Sequence, residues 1–382
     1  MTGIALLGST GSIGRQALEV IGAHPDEFTV VGLAAGRASS EFAAQLGQWP
    51  GVKAWCSDAR PADLPRDRWA GGGLEELATL ESAEIVVVAT TGMTALPAVL
   101  AALRSGRRVA LANKETLVTG GHLVERTLAA LGGDPLDRLR PIDSEHSAIW
   151  QCLAGERLDE VARLVLTASG GPFRDLEGDD LEAVTPDQAL AHPTWQMGPK
   201  ITIDSATLVN KAFEAIEAKW LYHLPYDRIQ AVIHPQSVVH SLVEFIDGSY
   251  KAQLGLPDMR LPIQYALTYP RRLPSPVRHG EPQEWGDLTF EPLAAGRYPA
   301  YDATRAAAAA GGNRGTILNA ADEAAVAAFL AGTIRFPRIS GVISDAVERW
   351  GDAAEPDLDG IVALDEEVRA ALSTELGLGG SA

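Results

Sequence analysis

The chain has little cysteine, little positive charge and no long apolar run. Its 382 residues include two cysteines, Cys56 and Cys152. Two isolated thiols supply neither a disulfide framework nor the ligand spacing of a zinc site, and they fit a reducing cytoplasm. Lys and Arg number 32 against 50 Asp and Glu, for a formal net charge of -18. A surface that acidic argues against a nucleic-acid partner and against an anionic membrane surface. An anionic substrate remains open, because a local cluster of Lys, Arg and backbone N–H groups can override the global field. No run of apolar residues is long enough to span a bilayer. Met1–Leu7 is apolar but has no basic segment before it, so no signal peptide is expected. There is no internal repeat. What is present is ordinary for a soluble globular protein: 46% hydrophobic and 21% charged residues, in a length that allows two or three domains.

The first part of the chain alternates between strands and helices. Ile4–Leu7, Phe28–Leu33, Ala83–Ala89 and Val109–Leu111 read as buried strands, with helical periodicity at Gly14–Ile21 and Leu96–Leu103. That alternation predicts a parallel sheet with helices on both faces. After about Asp143 the pattern becomes α+β, with strands expected at Val161–Ala168, Ala231–Ile233 and Val238–Ile246 and a tight turn at Asp247-Gly248. Prolines crowd the stretch from Tyr269 to Pro299, which reads as a connecting segment. Helices follow at Ala303–Ala310, Asn319–Leu330 and Ile339–Trp350. The expected domains are therefore 1–142, 143–268, a linker over 269–300, and a small helical domain over 301–382.

Gly8, Gly11 and Gly14 follow the first strand and open the first helix. Such glycines let a backbone approach a pyrophosphate, and a helix N-terminus offers N–H donors and a positive dipole. The bland alternative is a tight turn with no ligand. The second strand ends at Gly36-Arg37 with no acidic residue for a ribose hydroxyl, which favours NADP over NAD, unless Arg37 is a plain surface arginine. Asn113-Lys114-Glu115 follows a strand end, where ligands bind in parallel sheets; Asn113 is alternatively a helix cap.

A second group of residues suits a metal and a phosphate. Asp143 and Glu145, at i and i+2, point to one side if that segment is extended, with His146 on the other. Two such carboxylates repel unless a cation lies between them, and oxygen ligands suit Mg²⁺ or Mn²⁺ better than zinc. Glu214 is the candidate third ligand. If 203–214 is one helix, Thr207, Asn210, Lys211 and Glu214 share a face; otherwise this is a solvated face with a Lys–Glu pair. Ser169-Gly170-Gly171 ends a strand and suits phosphate binding or a simple turn, and Ser205, Asn210 and Lys211 would complete a phosphate or polyol pocket. His192–Gly198, with Trp195 and Met197 between Pro193 and Gly198, reads as a water-excluding lid or as a loop anchored to the core.

Taken together, Gly8–Gly14, Asn113-Lys114-Glu115, Asp143-Ser144-Glu145-His146, Ser169-Gly170-Gly171, His192–Gly198, Asp204–Glu214 and His234-Pro235-Gln236-Ser237 resemble the 1-deoxy-D-xylulose 5-phosphate reductoisomerases. The resemblance runs from Gly8 to about Leu330. It implies an N-terminal Rossmann-like sheet, an α+β catalytic domain and a small helical domain. It also implies a cytoplasmic, NADPH-dependent homodimer of the non-mevalonate isoprenoid pathway, acting on a sugar phosphate with a divalent cation. Asp143, Glu145 and Glu214 would hold the metal. Lys114 would join them in catalysis. Lys114, Ser144, Glu145, Ser169, His192, Trp195, Ser205, Asn210, Lys211 and Glu214 would face the substrate. Thr10, Gly11, Ser12, Ile13, Gly36, Arg37, Asn113, Glu115 and Gly198 would contact the cofactor. Ala38, Ala212 and Thr90-Thr91-Gly92 depart from the family pattern. The rivals are a semialdehyde dehydrogenase, which needs an activated cysteine, and a non-catalytic NADP-binding regulator, which would not need the three carboxylates.

Overall fold

The computed structural model describes residues 1–176, 178–191 and 197–378. In chain order these form β1 (Thr2–Leu7), α1 (Ser12–Ala23), β2 (Phe28–Ala35), α2 (Ser40–Gln48), β3 (Lys53–Cys56), α3 (Gly73–Ala78), β4 (Ile85–Val88), α4 (Leu96–Arg104), β5 (Arg108–Leu111), α5 (Glu115–Leu131), α6 (Pro135–Arg138), β6 (Leu139–Pro141) and α7 (Ser144–Leu153). There follow β7 (Val161–Ala168), α8 (Pro186–Leu190), α9 (Pro199–Thr207), α10 (Val209–Tyr222), β8 (Ile229–Ile233), β9 (Val239–Phe245), β10 (Tyr250–Leu254), α11 (Arg260–Thr268), β11 (Glu291–Pro292), α12 (Pro299–Ala310), α13 (Arg314–Leu330), α14 (Arg338–Trp350) and α15 (Leu358–Glu375).

The described chain divides into two compact units. The first comprises residues 1–116, 123–150 and 258–279. It holds a six-stranded parallel sheet in the order β3-β2-β1-β4-β5-β6. The central strands are apolar without alternation because both faces are covered: Ile4 to Leu7 and Val86 to Val88 are all fully buried. The order reverses between β1 and β4. That reversal opens a crevice at the carboxyl ends of the two strands, the usual ligand position in an open α/β sheet.

The second unit comprises residues 117–122, 151–257 and 280–382. Its five-stranded mixed sheet has the order β10-β9-β7-β8-β11. The β9–β10 hairpin turns at Gly248, whose φ of +85° explains the Asp-Gly pair. Helix α13 is buried nearly all round, from Thr316 to Phe329, and forms the middle of a helical core with α12, α14 and α15.

The two units do not coincide with the expected linear segments. Residues 258–279 join the first unit, and the C-terminal helices share a unit with β7 to β10. Contiguity in sequence is a poor guide where a chain re-enters a core. Two local expectations are also corrected. Asp143-Ser144-Glu145 is not extended, since Ser144 starts α7 and the Asp143 carbonyl accepts the Ser147 N–H at 2.8 Å. The stretch 203–214 is not one helix. Leu208, in the left-handed region at φ 57°, separates α9 from α10, so Thr207 leaves the face shared by Asn210, Lys211 and Glu214.

Candidate active site

In the first unit the glycine turn joins β1 to α1. Gly8 has a φ of +92°, and a Cβ there would lie 2.5 Å from the Ala89 carbonyl oxygen. A Cβ on Gly14 would lie 2.2 Å from the Gly8 oxygen. Both positions therefore need glycine. Gln45 pins the turn from α2: it accepts the Ser9 hydroxyl at 2.7 Å and donates to the Ser9 carbonyl at 3.0 Å. Helix α1 starts without a side-chain cap and without an acidic residue in its first turn. The Gly11 N–H closes the turn by donating to the Gly8 carbonyl at 3.2 Å, and the first turn of α1 beyond it, at Ser12 and Ile13, is left with an uncompensated dipole.

Gly36 and Arg37 are exposed after β2. Sequence reasoning missed the residue that shapes this corner. Asp58, beyond β3, accepts the Ala38 N–H at 3.0 Å. The hydrogen bond from the Cys56 thiol and those from the Ala38 and Ala59 amides hold its carboxyl below its ordinary range, against the opposing effect of burial. No spacing in the sequence marks Asp58, because the contact joins separate strand ends.

At the end of β5, Asn113 is buried and its side chain is committed. It donates to the Thr90 and Gly92 carbonyls at 2.9 and 2.7 Å and accepts from the Thr116 N–H at 2.8 Å. Its Oδ1 thus serves an N–H group in the first turn of α5. The amide also ties down Thr90-Thr91-Gly92. Lys114 pairs with Asp143 at 3.1 Å, both side chains largely buried, across the adjacent ends of β5 and β6. Glu145 accepts the Ser144 hydroxyl at 2.5 Å. Glu115 is buried in the first turn of α5, where a carboxylate suits the dipole.

In the second unit Ser169-Gly170-Gly171 follows β7. Gly170 and Gly171 have φ of +87° and +70°. The Ser169 hydroxyl accepts the Gly171 N–H at 3.2 Å. A Cβ on Gly171 would lie 2.7 Å from the Ser205 carbonyl oxygen, so this loop and α9 meet backbone to backbone. On α10, Lys211 is 3% and Glu214 1% exposed. Charges so buried need partners. The Glu214 carboxylate accepts the Asn210 amide at 2.6 Å and is ion-paired with Lys211 through its other oxygen. Glu217, one turn on, is also buried and was not singled out in the sequence. Gly198 caps α9, its carbonyl accepting the Thr202 N–H at 3.2 Å. His192 and Trp195 lie outside the described residues.

Cys152 cannot serve the semialdehyde dehydrogenase reading. It is buried in α7, and desolvation pushes its thiol up to about 11. Desolvation also raises Cys56, reinforced by its hydrogen bond to Asp58.

A glycine turn at the switch point of a parallel sheet, with an uncapped helix opening from it, is the architecture of the dinucleotide-binding class of proteins. Sequence profiles narrow that class. The profile described as 1-deoxy-D-xylulose 5-phosphate reductoisomerase matches residues 4–121, that of its C-terminal domain matches 139–222, and a further DXP reductoisomerase C-terminal domain matches 254–371. The chain is 49% identical to the 1-deoxy-D-xylulose 5-phosphate reductoisomerase of Pelotomaculum thermopropionicum, over 97% of each chain. It is 44% identical to that of Listeria monocytogenes, over 98% of this chain and all of the relative. Among solved structures, a DOX-P reductoisomerase in complex with NADPH, fosmidomycin and magnesium superposes with a TM-score of 0.92 at 35% identity, over the whole of both chains. The Zymomonas mobilis enzyme in complex with NADPH gives 0.88 at 36% identity, over 98% of this chain and 99% of that one. The chain belongs to the 1-deoxy-D-xylulose 5-phosphate reductoisomerase family.

Proposed function

We propose that this chain converts 1-deoxy-D-xylulose 5-phosphate to 2-C-methyl-D-erythritol 4-phosphate, with NADPH and a divalent cation, Mg²⁺ or Mn²⁺, in the non-mevalonate route to isoprenoids. The activity goes with the family, and the residue roles are our reading. The observation that carries those roles is the buried Glu214 carboxylate held between the Asn210 amide and the Lys211 ammonium.

Both groups fit the residues present. The cradle at Gly8 and Gly14, which a Cβ would fill, and the uncapped α1 suit a pyrophosphate. Asp143, Glu145 and Glu214 offer only carboxylate oxygens, the donor set of a hard divalent ion. When bound, the cation supplies Lewis acidity and NADPH supplies hydride. The rest belongs to the protein. Thr10, Ser12 and Ile13 would hold the pyrophosphate through N–H groups, with Gly11 shaping the turn by its N–H bond to the Gly8 carbonyl. Gly36 and Arg37 take the 2′-phosphate end, with Asn113, Glu115 and Gly198 completing the cofactor contacts. Lys114 holds the Asp143 carboxylate in place and neutralises one of the clustered charges. Ser169, Ser205, Asn210 and Lys211 bind the phosphate and hydroxyl groups of the substrate. Ser144 and His192 orient it, and Trp195 excludes water.

On this reading the first unit carries the cofactor, and the second carries the phosphate-binding residues Ser169, Ser205, Asn210 and Lys211. We place the protein in the cytoplasm, where its two buried free thiols stay reduced, with no nucleic-acid or membrane partner. No helix of the described residues is long and apolar enough to cross a membrane. The homodimer rests on β10, an edge strand with exposed Tyr250 and Leu254 beside the exposed Ile246. Such an edge invites pairing with a second copy. Sedimentation at equilibrium giving a monomer mass would remove that assignment.

The function is tested by NADPH oxidation with 1-deoxy-D-xylulose 5-phosphate, with and without Mg²⁺ or Mn²⁺. Turnover that depends on the cation and yields the branched tetritol phosphate is expected. Reduction without skeletal rearrangement, or turnover indifferent to cation, would sink the reading.

A further inference from the structure

The motif His234-Pro235-Gln236-Ser237 has no role in the site above, yet His234 is fully buried at the carboxyl end of β8. We infer that His234 is a positioning residue. It fastens a strap, residues 289–298, that holds the Ser169–Gly171 loop in its phosphate-binding shape. The inference rests on the substrate assignment made above.

The strap begins at the imidazole. β7 and β8 are parallel neighbours ending at Ala168 and Ile233, so Ser169 and His234 leave the sheet side by side. The His234 N–H donates to the Ala168 carbonyl at 2.7 Å. Its Nδ1 faces the Thr289 carbonyl oxygen at 2.8 Å, and a carbonyl can only accept, so Nδ1 carries the proton. Its Nε2 accepts the N–H groups of Val238 and Val239 at 3.2 and 3.1 Å. Three backbone groups thus select one neutral tautomer. The Phe290 ring stacks on the imidazole at 4.6 Å between centroids, and Gln236 donates to the Thr289 hydroxyl at 2.8 Å. β11 then pairs with β8 through Glu291 and Pro292.

The other end of the strap grips the loop. The Tyr298 hydroxyl donates to the Gly170 carbonyl at 3.0 Å. The Arg297 guanidinium donates to the carbonyls of residues 173, 174 and 176, at 3.0, 2.6 and 2.6 Å. Glycines at positive φ do not hold a shape by themselves, because they have the widest choice of backbone conformations. Here the carbonyls of residues 170, 173, 174 and 176 are fixed from outside the loop, by a segment whose far end is fixed by His234.

The test uses the full chain and three variants. His234→Gln keeps an acceptor for the Val238 and Val239 amides but loses the donor to Thr289. His234→Asn keeps a donor for Thr289 and loses the acceptor. Tyr298→Phe removes the hydroxyl that holds Gly170. We expect H234Q and Y298F each to raise the KM for 1-deoxy-D-xylulose 5-phosphate by about three- to tenfold, the worth of one lost hydrogen bond. Their kcat and KM for NADPH should change little, and so should kcat/KM for the unphosphorylated sugar. H234N should stay near wild type, and the double variant H234Q/Y298F should lose less than the product of the singles, since both cut one strap. Calorimetric titration with inorganic phosphate should weaken in the same order, and this reads the strap even if the wild type fails to turn over the sugar phosphate. That failure would overturn the function but not the strap. Unchanged KM and phosphate affinity in Y298F, or H234N as impaired as H234Q, would overturn the strap.

Discussion

Gly171 and Ser205 lie backbone against backbone, and a Cβ on Gly171 would sit 2.7 Å from the Ser205 carbonyl oxygen and 2.8 Å from the Ala206 Cα. The contact joins the loop after β7 to α9. It places Ser169 and Ser205 on neighbouring pieces of chain, as the proposed phosphate site requires.

Gly171→Ala should therefore damage substrate binding more than cofactor binding. An alanine at a φ of +70° costs about 1–2 kcal/mol, before any clash is relieved. The KM for the sugar phosphate should rise by about tenfold or more, with the KM for NADPH unchanged. Steady-state kinetics in both substrates checks this, and a loss shared equally by both would argue that the contact serves folding alone.

Glu214→Gln should abolish cation-supported turnover while NADPH still binds. Glutamine keeps the shape and the Asn210 bond but removes the charge that Lys211 and a divalent ion both need. It leaves Lys211 buried without its counter-charge, a change of about 3–5 kcal/mol for an interior pair, so thermal unfolding belongs beside the kinetics. Near-normal turnover would take Glu214 out of the metal site.

Preference for NADPH over NADH should fall by about tenfold or more when Arg37 becomes Ala, since a hydrogen bond to a charged group is worth roughly 1.5–3 kcal/mol. Asp58→Asn should lower the same ratio by less, because Asp58 acts on the Arg37 corner through the Ala38 backbone. The ratio of kcat/KM for the two cofactors is the measurement, and an unchanged ratio in Arg37→Ala would assign the phosphate contact elsewhere.

Asp322→Asn should stabilise the protein at neutral pH. Lys200 is shared by two buried carboxylates, Asp204 and Asp322, each at 2.6 Å. The ammonium brings one positive charge to two negative ones. Burial raises the Asp322 carboxyl above its ordinary 3.8, with Glu323 adding to the rise and Lys200 opposing it. An acid with a raised folded value binds its proton more tightly when folded. Its contribution to stability is complete below 3.8 and is lost as pH rises through the folded value. The amide has no such loss. Its advantage in Tm should therefore grow with pH above that range. A variant that melts lower at pH 7 than at pH 4, relative to wild type, would contradict this.

The parts of the fold legible in the sequence are those whose causes are local. The glycine turn at Gly8 and Gly14 is readable because tight packing there admits no other residue, and the β9–β10 turn because Asp247-Gly248 suits a positive φ. The central strands declare themselves as unbroken apolar runs. Leu208 is not readable, since a leucine in the left-handed region carries no signal, and the single helix expected over 203–214 hides the break. The start of α7 is readable in principle. Asp143 followed by Ser144 and Glu145 is a helix-opening pattern, but two carboxylates at i and i+2 also suit an extended segment, and the extended geometry is the wrong one.

The rest is not legible because it is made by contacts distant in sequence. Nothing near Tyr269 announces that residues 258–279 re-enter the first unit. Nothing near Thr289 announces His234, so the proline-rich stretch reads as a mere connector. Helix α15 escapes notice although Asp357 caps it, accepting the Gly360 N–H at 2.9 Å. Its acidic, alternating composition blurs the helical period. The candidate site fares better than its surroundings, because unusual residue types such as Lys211 and Glu214 on a buried helix stand out one by one, while the residues that hold them in place look ordinary.

The Lys211–Glu214 pair has a further consequence for how the site fills. The two residues form an internal salt, sealed from water and electrically neutral. On the proposed roles, a cation at Glu214 would compete with Lys211 for the carboxylate, and a phosphate at Lys211 would compete with Glu214 for the ammonium. Each ligand would then release the group that the other needs, and each would tighten the other by the same factor.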